Sequence, residues 1–309
     1  MSERALKLGR MTDKKNVSKN SIKPPRRVAA IHDLSCFGRC ATTVISPALS
    51  AMGCQVIPVP TALLSSHTGG FTDMYFKDLS EDMNSISDHF ERLGLKFDAI
   101  YTGFLGNERQ IDIVLDFIRK FSTEDTLIFV DPVMGDDGIL YSTYNDELCR
   151  RMRELCSVAD IITPNLTEAC FLSDVKYTDT SAMSEEGAFE FADALRAKLA
   201  DLTKGKIVIT GIPHGENMFG TYGHTEVDSE RGSMYSVRRI SKSYPGTGDL
   251  FACVLLGALL CGDDERSAIR FASDYISRVM EYTSQFDTPE REGVAFEHFM
   301  ADLAEYVRG

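Results

Sequence analysis

The chain has no apolar run close to the ~20 residues that cross a bilayer, and its N-terminus lacks the apolar centre of a secretory signal. We therefore expect a cytoplasmic protein with no membrane partner. Positive charge is also scarce, since 33 Lys and Arg stand against 46 Asp and Glu for a net charge of −13. Non-specific binding to nucleic acid or anionic lipid needs clustered positive charge, so neither is an expected partner. The expected binding partner is therefore a small molecule or another protein.

The cysteines lack the pattern of a disulfide framework or a zinc site. No C-x-x-C pair occurs, and most of the eight cysteines lie inside apolar segments, which predicts free buried thiols. His67 has no partner at the spacing of metal ligands, so a zinc role is not expected for it. The cysteines are Cys36, Cys40, Cys54, Cys149, Cys156, Cys170, Cys253 and Cys261.

The 309 residues are 43% hydrophobic and 26% charged, an ordinary globular composition that can bury a large core. Residues 1–26 are rich in Lys, Arg, Ser and Asn, carry Pro24 and Pro25 near their end and show no hydrophobic period, which predicts a disordered leader. An organellar transit peptide is the alternative, although Glu3 and Asp13 count against it. Residues 27–309 contain no internal repeat or linker, so we predict a single domain.

Strand-like and helical patterns alternate along this domain. The β-α-β rhythm predicts an α/β fold of three layers, in which helices cover both faces of a mostly parallel sheet. After Gly211, "ENMFGTYGH" and "GSMYSVRRI" predict antiparallel strands at one edge of that sheet. The predicted strands are 28–31, 55–59, 98–102, 126–131, 160–163 and 206–210, and the predicted helices lie near 42–52, 107–121, 144–156, 184–202, 247–261, 263–282 and 294–307.

The segment "PGTGDLF" places Gly246, Thr247, Gly248 and Asp249 at the start of a long apolar helix. Glycines allow close backbone approach, and the first amides of a helix are unpaired at the positive end of its dipole, so this turn could bind phosphate oxygens. Asp249 then stands where a substrate hydroxyl would meet a phosphoryl group. The alternative is an aspartate that only stabilises the helix N-terminus, and the motif taken alone favours it. A dinucleotide fingerprint fits poorly, since Phe251 occupies the place of its third glycine, and no Walker P-loop occurs.

Acidic residues follow two other predicted strands, in "DPVMGDDG" and "TPNLTEA". Ligands of an open α/β sheet bind at the carboxyl ends of its strands, and carboxylates such as Asp131 suit Mg²⁺, which prefers oxygen ligands. A polar turn explains the first loop equally well. In the second, Thr163, Asn165 and Glu168 lie together, and the pattern alone favours a capping box between Asn165 and Glu168.

A third loop, "LLSSHTGGF" (63–71), combines a polar cluster, a histidine and two glycines after a strand. This composition suits a mobile flap that closes over a small ligand. A plain surface loop is the alternative.

The order and spacing of these motifs resemble the ribokinase superfamily, and within it the vitamin B6 kinases, with bacterial pyridoxamine kinases the nearest. The resemblance covers Val28 to about Val279 and is most specific in "SSHTGGF", "DPVMGDDGILY", "DIITPNLTEACFL" and "GTGDLFACVLLGAL". It implies a ribokinase-like fold and a kinase that uses ATP and Mg²⁺, with K⁺ as an optional further ion, to phosphorylate the 5′-hydroxymethyl group of a B6 vitamer. It also implies a homodimer.

The resemblance further implies roles for individual residues. Asp249 would be the base that takes the proton from the hydroxymethyl group. The amides of Gly246, Thr247 and Gly248 would hold the transferring phosphoryl group and contact ATP. The other implied contacts are with Mg²⁺ and its waters (Asp131, Asn165, Glu168), a monovalent cation or phosphate (Thr163), the nucleotide (Asn165, Thr210, Gly211) and the B6 ring (Asp33, Thr61, His67, Thr68).

The chain departs from the family pattern at one position and differs from a sister activity at another. Vitamin B6 kinases often have a Gln-Ser pair where this chain has His32-Asp33, so an anionic Asp33 could favour pyridoxamine by pairing with its amine or its protonated pyridine nitrogen. Relatives that phosphorylate hydroxymethylpyrimidine usually have Cys where Asp249 stands, which weighs against that activity. Two alternatives stay open: a kinase of hydroxymethylpyrimidine or another small alcohol, and a non-catalytic sensor, which would not need a base beside an anion site.

Overall fold

The computed structural model describes residues 24–223, 232–240 and 242–308. The strands within these residues are β1 (Arg26–Ser35), β2 (Cys54–Leu64), β3 (Phe76–Asp78), β4 (Ala99–Thr102), β5 (Leu127–Val130), β6 (Gly135–Asp136), β7 (Ile139–Leu140), β8 (Ile161–Ile162), β9 (Lys206–His214), β10 (Met218–Gly223) and β11 (Ser233–Arg238). The helices are α1 (Thr42–Ala51), α2 (Ser80–Arg92), α3 (Glu108–Phe121), α4 (Asp146–Ser157), α5 (Leu166–Leu172), α6 (Glu185–Leu202), α7 (Thr247–Cys261), α8 (Glu265–Thr283) and α9 (Met300–Arg308).

The central sheet has the strand order β11-β10-β9-β8-β5-β4-β1-β2-β3. The six strands from β9 to β2 in this order run parallel to their neighbours, whereas β10, β11 and β3 pair antiparallel. The prediction of a mostly parallel sheet with antiparallel edge strands is confirmed. As a result, the carboxyl ends of the parallel strands meet along one edge of the sheet.

Apolar side chains alternate along the parallel strands and form a core on each face of the sheet. In β1, Ala29 and Ile31 pack with α3 to α6, whereas Val28 and Ala30 pack with α1, α7, α8 and α9. Residues 250–260 of α7 are all buried, so this helix lies inside the second core rather than on the surface. This position explains the unbroken apolar run that follows Asp249.

Some elements carry too weak a pattern for sequence-based prediction. Helix α2 buries only Ser80, Met83 and Ser87, and β3, β6 and β7 have two or three residues each. The helix predicted over 294–307 consists of a 3₁₀ turn, Phe296–Phe299, followed by α9. Residues 1–23 of the predicted disordered leader (1–26) lie outside the described residues. Its last residue, Arg26, is the first residue of β1. None of the helices formed by the described residues has the length and apolar character needed to cross a membrane.

Candidate active site

A cavity of about 850 Å³ lies at the carboxyl ends of the parallel strands, where the start of α7 faces the loops after β2, β5 and β8. The structure brings nearly all of the predicted site residues to its wall, although they come from six separate segments of the chain. The lining includes Asp33, His67, Thr68, Asp131, Thr163, Asn165, Glu168, Thr210, Gly211, Gly246, Thr247, Gly248 and Asp249.

Thr61 is the predicted ring-pocket residue that the structure does not bring to the cavity wall. Its side chain is fully buried, and its hydroxyl donates to the carbonyl of Phe104 at 3.0 Å. Thr61 therefore ties β2 to the loop after β4. Its expected contact with a B6 ring is not supported.

The turn before α7 has the geometry of an anion site. Gly246 precedes the helix with φ +80°, and a side chain there would collide with the carbonyl of Arg39, so this position requires glycine. The hydroxyl of Thr247 donates to the carbonyl of Tyr244 at 3.0 Å and fixes the turn. No described side chain caps the first amides of α7. Apart from the neighbouring residues and the backbone of α7 itself, no described atom lies within 4 Å of the place that a Cβ on Gly248 would take. The turn thus leaves both donors and space for an anionic group.

Asp249, in the first turn of α7, does not cap its own helix with a hydrogen bond. Its Oδ2 accepts from the backbone N–H of Ala41, just before α1, at 2.8 Å. Ala41 has φ +46°, which is unusual for a residue other than glycine and typical of strained functional sites. The carboxylate is therefore held by a neighbouring segment 208 residues away in sequence.

The environment of Asp249 suits a proton acceptor. Burial raises the pKa of Asp249 to about 7, the Ala41 hydrogen bond opposes this rise, and the nearby Asp33 carboxylate adds to it. A general base works best when its pKa lies near the working pH. The structure thus gives this carboxyl group the acid-base balance that proton abstraction near neutral pH requires.

Asp131 and Glu168 form an acidic pair beside the anion site. Burial and the charges of Glu168 and Asp249 hold the pKa of Asp131 well above its usual range, and the neighbouring Thr163 hydroxyl opposes the shift. Burial likewise raises the pKa of Glu168 to about 8. Two buried carboxyl groups that raise the local negative charge in this way favour a bound proton or a nearby cation.

The capping box predicted at the start of α5 is confirmed. Asn165 Oδ1 accepts from the Glu168 amide at 2.9 Å, and Glu168 Oε2 accepts from the Asn165 amide at 2.8 Å. Glu168 Oε1 also accepts from the Met134 amide at 2.9 Å, so both of its oxygens are held by backbone donors. The same residues cap a helix and present a fixed carboxylate to the cavity.

The described residues contain no group of three His, Cys, Asp or Glu side chains arranged to hold a metal ion alone. Asp131 and Glu168 instead fit an ion that keeps several waters and shares its remaining positions with phosphate oxygens, which is the usual coordination of Mg²⁺. Because the oxygens of Glu168 already accept backbone hydrogen bonds, Glu168 suits contact through water better than direct coordination.

The loop containing His67 is fixed by the segment before the C-terminal helix. His67 Nδ1 accepts from the Gly69 amide at 3.0 Å, so Nε2 carries the proton and donates to the carbonyl of Arg291 at 2.7 Å. The guanidinium of Arg291 lies 5.0 Å from the ring centre of Phe71, which also contacts His67 edge-on. The predicted flap is thus held against the cavity in this structure.

Sequence reasoning missed several residues of the cavity wall. Three are basic, Arg238, Arg239 and Lys242, and the guanidinium of Arg239 lies 4.9 Å from the ring centre of Phe219. The run "VRRISK" in an otherwise acidic chain was the available indication. Cys40, Ala41, Phe104, Tyr141 and Tyr177 also line the cavity, and no sequence pattern distinguishes them.

A three-layer α/β/α fold with an aspartate beside a glycine-rich helix start, at the carboxyl ends of parallel strands, defines a ribokinase-like small-molecule kinase. A family model described as phosphomethylpyrimidine kinase matches residues 47–292. The chain belongs to this family.

Named relatives and solved structures agree with this assignment. The pyridoxal kinase of Sus scrofa is 31% identical over 230 residues, which are 67% of this chain and 67% of the pig protein. A candidate phosphomethylpyrimidine kinase from Bacteroides thetaiotaomicron, solved with pyridoxal, is 38% identical with a TM-score of 0.84, and the match covers 90% of this chain and 96% of that one. Pyridoxal kinase from Lactobacillus plantarum is 27% identical with a TM-score of 0.81, over 91% of this chain and 97% of that one.

Proposed function

We propose that this chain is a pyridoxal kinase, which transfers the γ-phosphoryl group of ATP to the 5′-hydroxymethyl group of a vitamin B6 vitamer. The observation that carries the proposal is Asp249, a carboxylate with a pKa near 7 placed beside the open amides of a glycine-rich helix start. The pyridoxal in the crystals of the 38% identical Bacteroides protein supports a B6 vitamer as the substrate.

The residues support in-line phosphoryl transfer, which depends on positioning and charge stabilisation more than on covalent chemistry. Asp249 would accept the proton of the vitamer hydroxyl as its oxygen attacks phosphorus. The amides of Gly246, Thr247 and Gly248 would stabilise the charge that develops on the phosphoryl oxygens. Mg²⁺ bound with ATP would neutralise further phosphate charge, with Asp131, Asn165 and Glu168 orienting its waters and Thr163 near a phosphate or a monovalent cation.

The two ends of the cavity would then bind the two substrates. Thr210 and Gly211 would contact the nucleotide together with Asn165. The Thr210 amide donates to the carbonyl of Pro164 at 2.9 Å, and this bond keeps β9 beside the loop that contains Asn165. Asp33, His67 and Thr68 would surround the vitamer ring.

The Mg²⁺ requirement, a role for K⁺, a homodimer and a cytoplasmic location belong to the same proposal. The buried acidic pair of Asp131 and Glu168 supports the cation requirement. The eight cysteines are all free, which agrees with a reducing compartment. The dimer rests on the resemblance to vitamin B6 kinases.

Phosphorylation of hydroxymethylpyrimidine is the second candidate, because the matching family model and the Bacteroides protein both carry a phosphomethylpyrimidine kinase name. The carboxylate at position 249 and the pyridoxal kinase relatives favour a B6 vitamer. A non-catalytic sensor would have no use for a base with a pKa near neutrality.

A coupled ADP-release assay tests the proposal. Pyridoxal, pyridoxine, pyridoxamine and hydroxymethylpyrimidine are each offered with ATP, Mg²⁺ and K⁺, and mass spectrometry identifies the phosphorylated product. We expect turnover with at least one B6 vitamer and a lower kcat/KM for hydroxymethylpyrimidine. Turnover of hydroxymethylpyrimidine alone would establish the second candidate, and no turnover of any of the four would overturn both.

A further inference from the structure

Two ring-bearing polar side chains near the candidate site are buried without hydrogen-bond partners among the described residues. His32 and Tyr101 are both completely buried. Neither ring nitrogen of His32 nor the hydroxyl of Tyr101 forms a hydrogen bond with any residue that the structure describes. Their rings contact each other edge-on with centres 4.3 Å apart. Buried polar atoms are nearly always paired with protein or ordered water, so these three atoms require a partner.

The sheet register places these side chains next to Asp131. Ile31 pairs with Thr102, and Thr102 pairs with Val130. The next residue on each strand continues the row, because the Gly103 amide donates to the Ile31 carbonyl at 3.1 Å and the Asp131 amide donates to the Thr102 carbonyl at 2.9 Å. His32, Gly103 and Asp131 are therefore neighbours across three adjacent strands.

Gly103 leaves the space that the His32 ring occupies on the side of Asp131. A side chain on Gly103 would collide with the imidazole ring, so the ring occupies the space above this glycine, between β1 and β5. Val28 and Ala30, on the same side of β1, pack in the core that also contains Tyr101 and α7. The His32 ring thus lies on the face of the sheet that α7 covers, and α7 carries Asp249.

The charges around Tyr101 agree with this placement. After burial, the largest influences that raise the pKa of Tyr101 are the carboxylates of Asp131 and Asp249. Burial lowers the pKa of His32 to about 3, so its ring is neutral and offers one donor and one acceptor. A neutral imidazole and a phenol can both donate to water that in turn donates to carboxylates.

We propose that His32 and Tyr101 are positioning residues of this kinase site, which hydrogen-bond through buried ordered water to the Asp131 and Asp249 carboxylates and hold them in the orientation for phosphoryl transfer. The inference rests on the proposed function. It assigns the two residues a role behind the cavity wall, since neither lines the cavity itself. A buried water needs two to four polar partners, and His32, Tyr101 and the two carboxylates would supply them.

Tyr101→Phe, His32→Leu and His32→Gln test the role, with Tyr275→Phe as the matched control. The Tyr275 hydroxyl is also buried without a partner among the described residues, but it lies on α8 outside the cavity wall. We expect kcat to fall about tenfold in Tyr101→Phe and His32→Leu, as for loss of a hydrogen bond to a charged group. KM for the vitamer and the melting temperature should stay close to the wild-type values. His32→Gln, which keeps a donor and an acceptor, should restore most of kcat, and Tyr275→Phe should leave it unchanged.

A high-resolution crystal structure of the wild-type chain provides a readout that does not depend on activity. Ordered water bonded to Tyr101 Oη or to a His32 ring nitrogen would support the inference. Wild-type kcat in both Tyr101→Phe and His32→Leu would overturn it, and so would dry apolar contact around both rings. A wild-type protein that phosphorylates no vitamer would refute the proposed function instead, and the solvent positions would still decide the inference.

Discussion

Replacement of Asp249 by asparagine tests the central element of the site with little change of shape. The side-chain oxygen of the introduced asparagine can still accept from the Ala41 amide, the bond that holds the native carboxylate at 2.8 Å. The asparagine amide cannot accept the proton of a substrate hydroxyl, and general-base catalysis is worth roughly 10²- to 10⁴-fold. We therefore expect kcat in the ADP-release assay to fall by at least about 10²-fold. Affinity for ATP, measured by calorimetric titration, should change by less than about threefold, because the anion site consists of backbone amides.

The same variant should reveal the cost of ionising Asp249. Its pKa is raised from 3.8 to about 7, so the folded state binds a proton that the unfolded state releases between these two values. The stabilisation from this group is complete below about pH 4 and is lost as the pH rises through about 7. At 1.36 kcal/mol per pH unit, the loss has an upper limit of about 4 kcal/mol. Relative to Asp249→Asn, wild type should lose stability toward about pH 8 while its kcat rises as the carboxyl group ionises.

Urea unfolding at about pH 4 and about pH 8 measures this difference. Asp116→Asn provides a control, since Asp116 lies on the surface of α3 in an ion pair with Arg119. This control should leave kcat unchanged. Near-normal kcat in Asp249→Asn would remove Asp249 from the mechanism. A stability difference between wild type and Asp249→Asn that is the same at both pH values would refute the perturbed pKa.

Four further substitutions test neighbouring features. Gly246→Ala should lower the melting temperature, because the new Cβ would collide with a backbone carbonyl. Gly248→Ala should fold normally and lose kcat, since its Cβ would enter the open anion site. Equal effects of the two substitutions on stability would contradict this geometry. Ala41→Gly should raise the unfolding free energy by about 1 kcal/mol through relief of the strained φ of +46°, and a lower value would show that no strain is stored there. Asp33→Ser should lower the ratio of kcat/KM for pyridoxamine to that for pyridoxal by about tenfold, the scale of a charge-assisted hydrogen bond; equal kcat/KM for the two vitamers in both proteins would refute a selective role for Asp33.

Most of the fold and much of the cavity wall follow from local sequence. The β-α-β rhythm predicts a parallel sheet, and the carboxyl ends of parallel strands all lie at one edge of the sheet. Residues at those exits, such as Asp131, Asn165 and Gly246, can therefore be placed together from their positions in the chain alone. Helix α2 could not be predicted because it buries so few side chains.

Thr61 shows where such reasoning fails. The register of β1 with β2 shifts between His32 and Leu34, where two steps along β1 match three along β2 from Pro60 to Leu63. A bulge of this kind changes which face the following side chains point to. A strand-exit residue can thus be assigned to the cavity by position and still point into the protein. Sequence alternation alone does not reveal the bulge.

Asp249 and Glu168 show why a local motif alone could not distinguish a helix cap from a functional residue. Each pattern favoured a helix cap when taken alone. For Glu168 the cap is real, yet the same hydrogen bonds hold its carboxylate rigidly at the cavity wall. For Asp249 the hydrogen bond goes instead to Ala41, at the start of a different helix. A catalytic site needs side chains in a fixed orientation, so the capping bonds of Glu168 also serve its role at the cavity. For Asp249, only the hydrogen bond with the distant residue Ala41 distinguishes a candidate base from an ordinary cap.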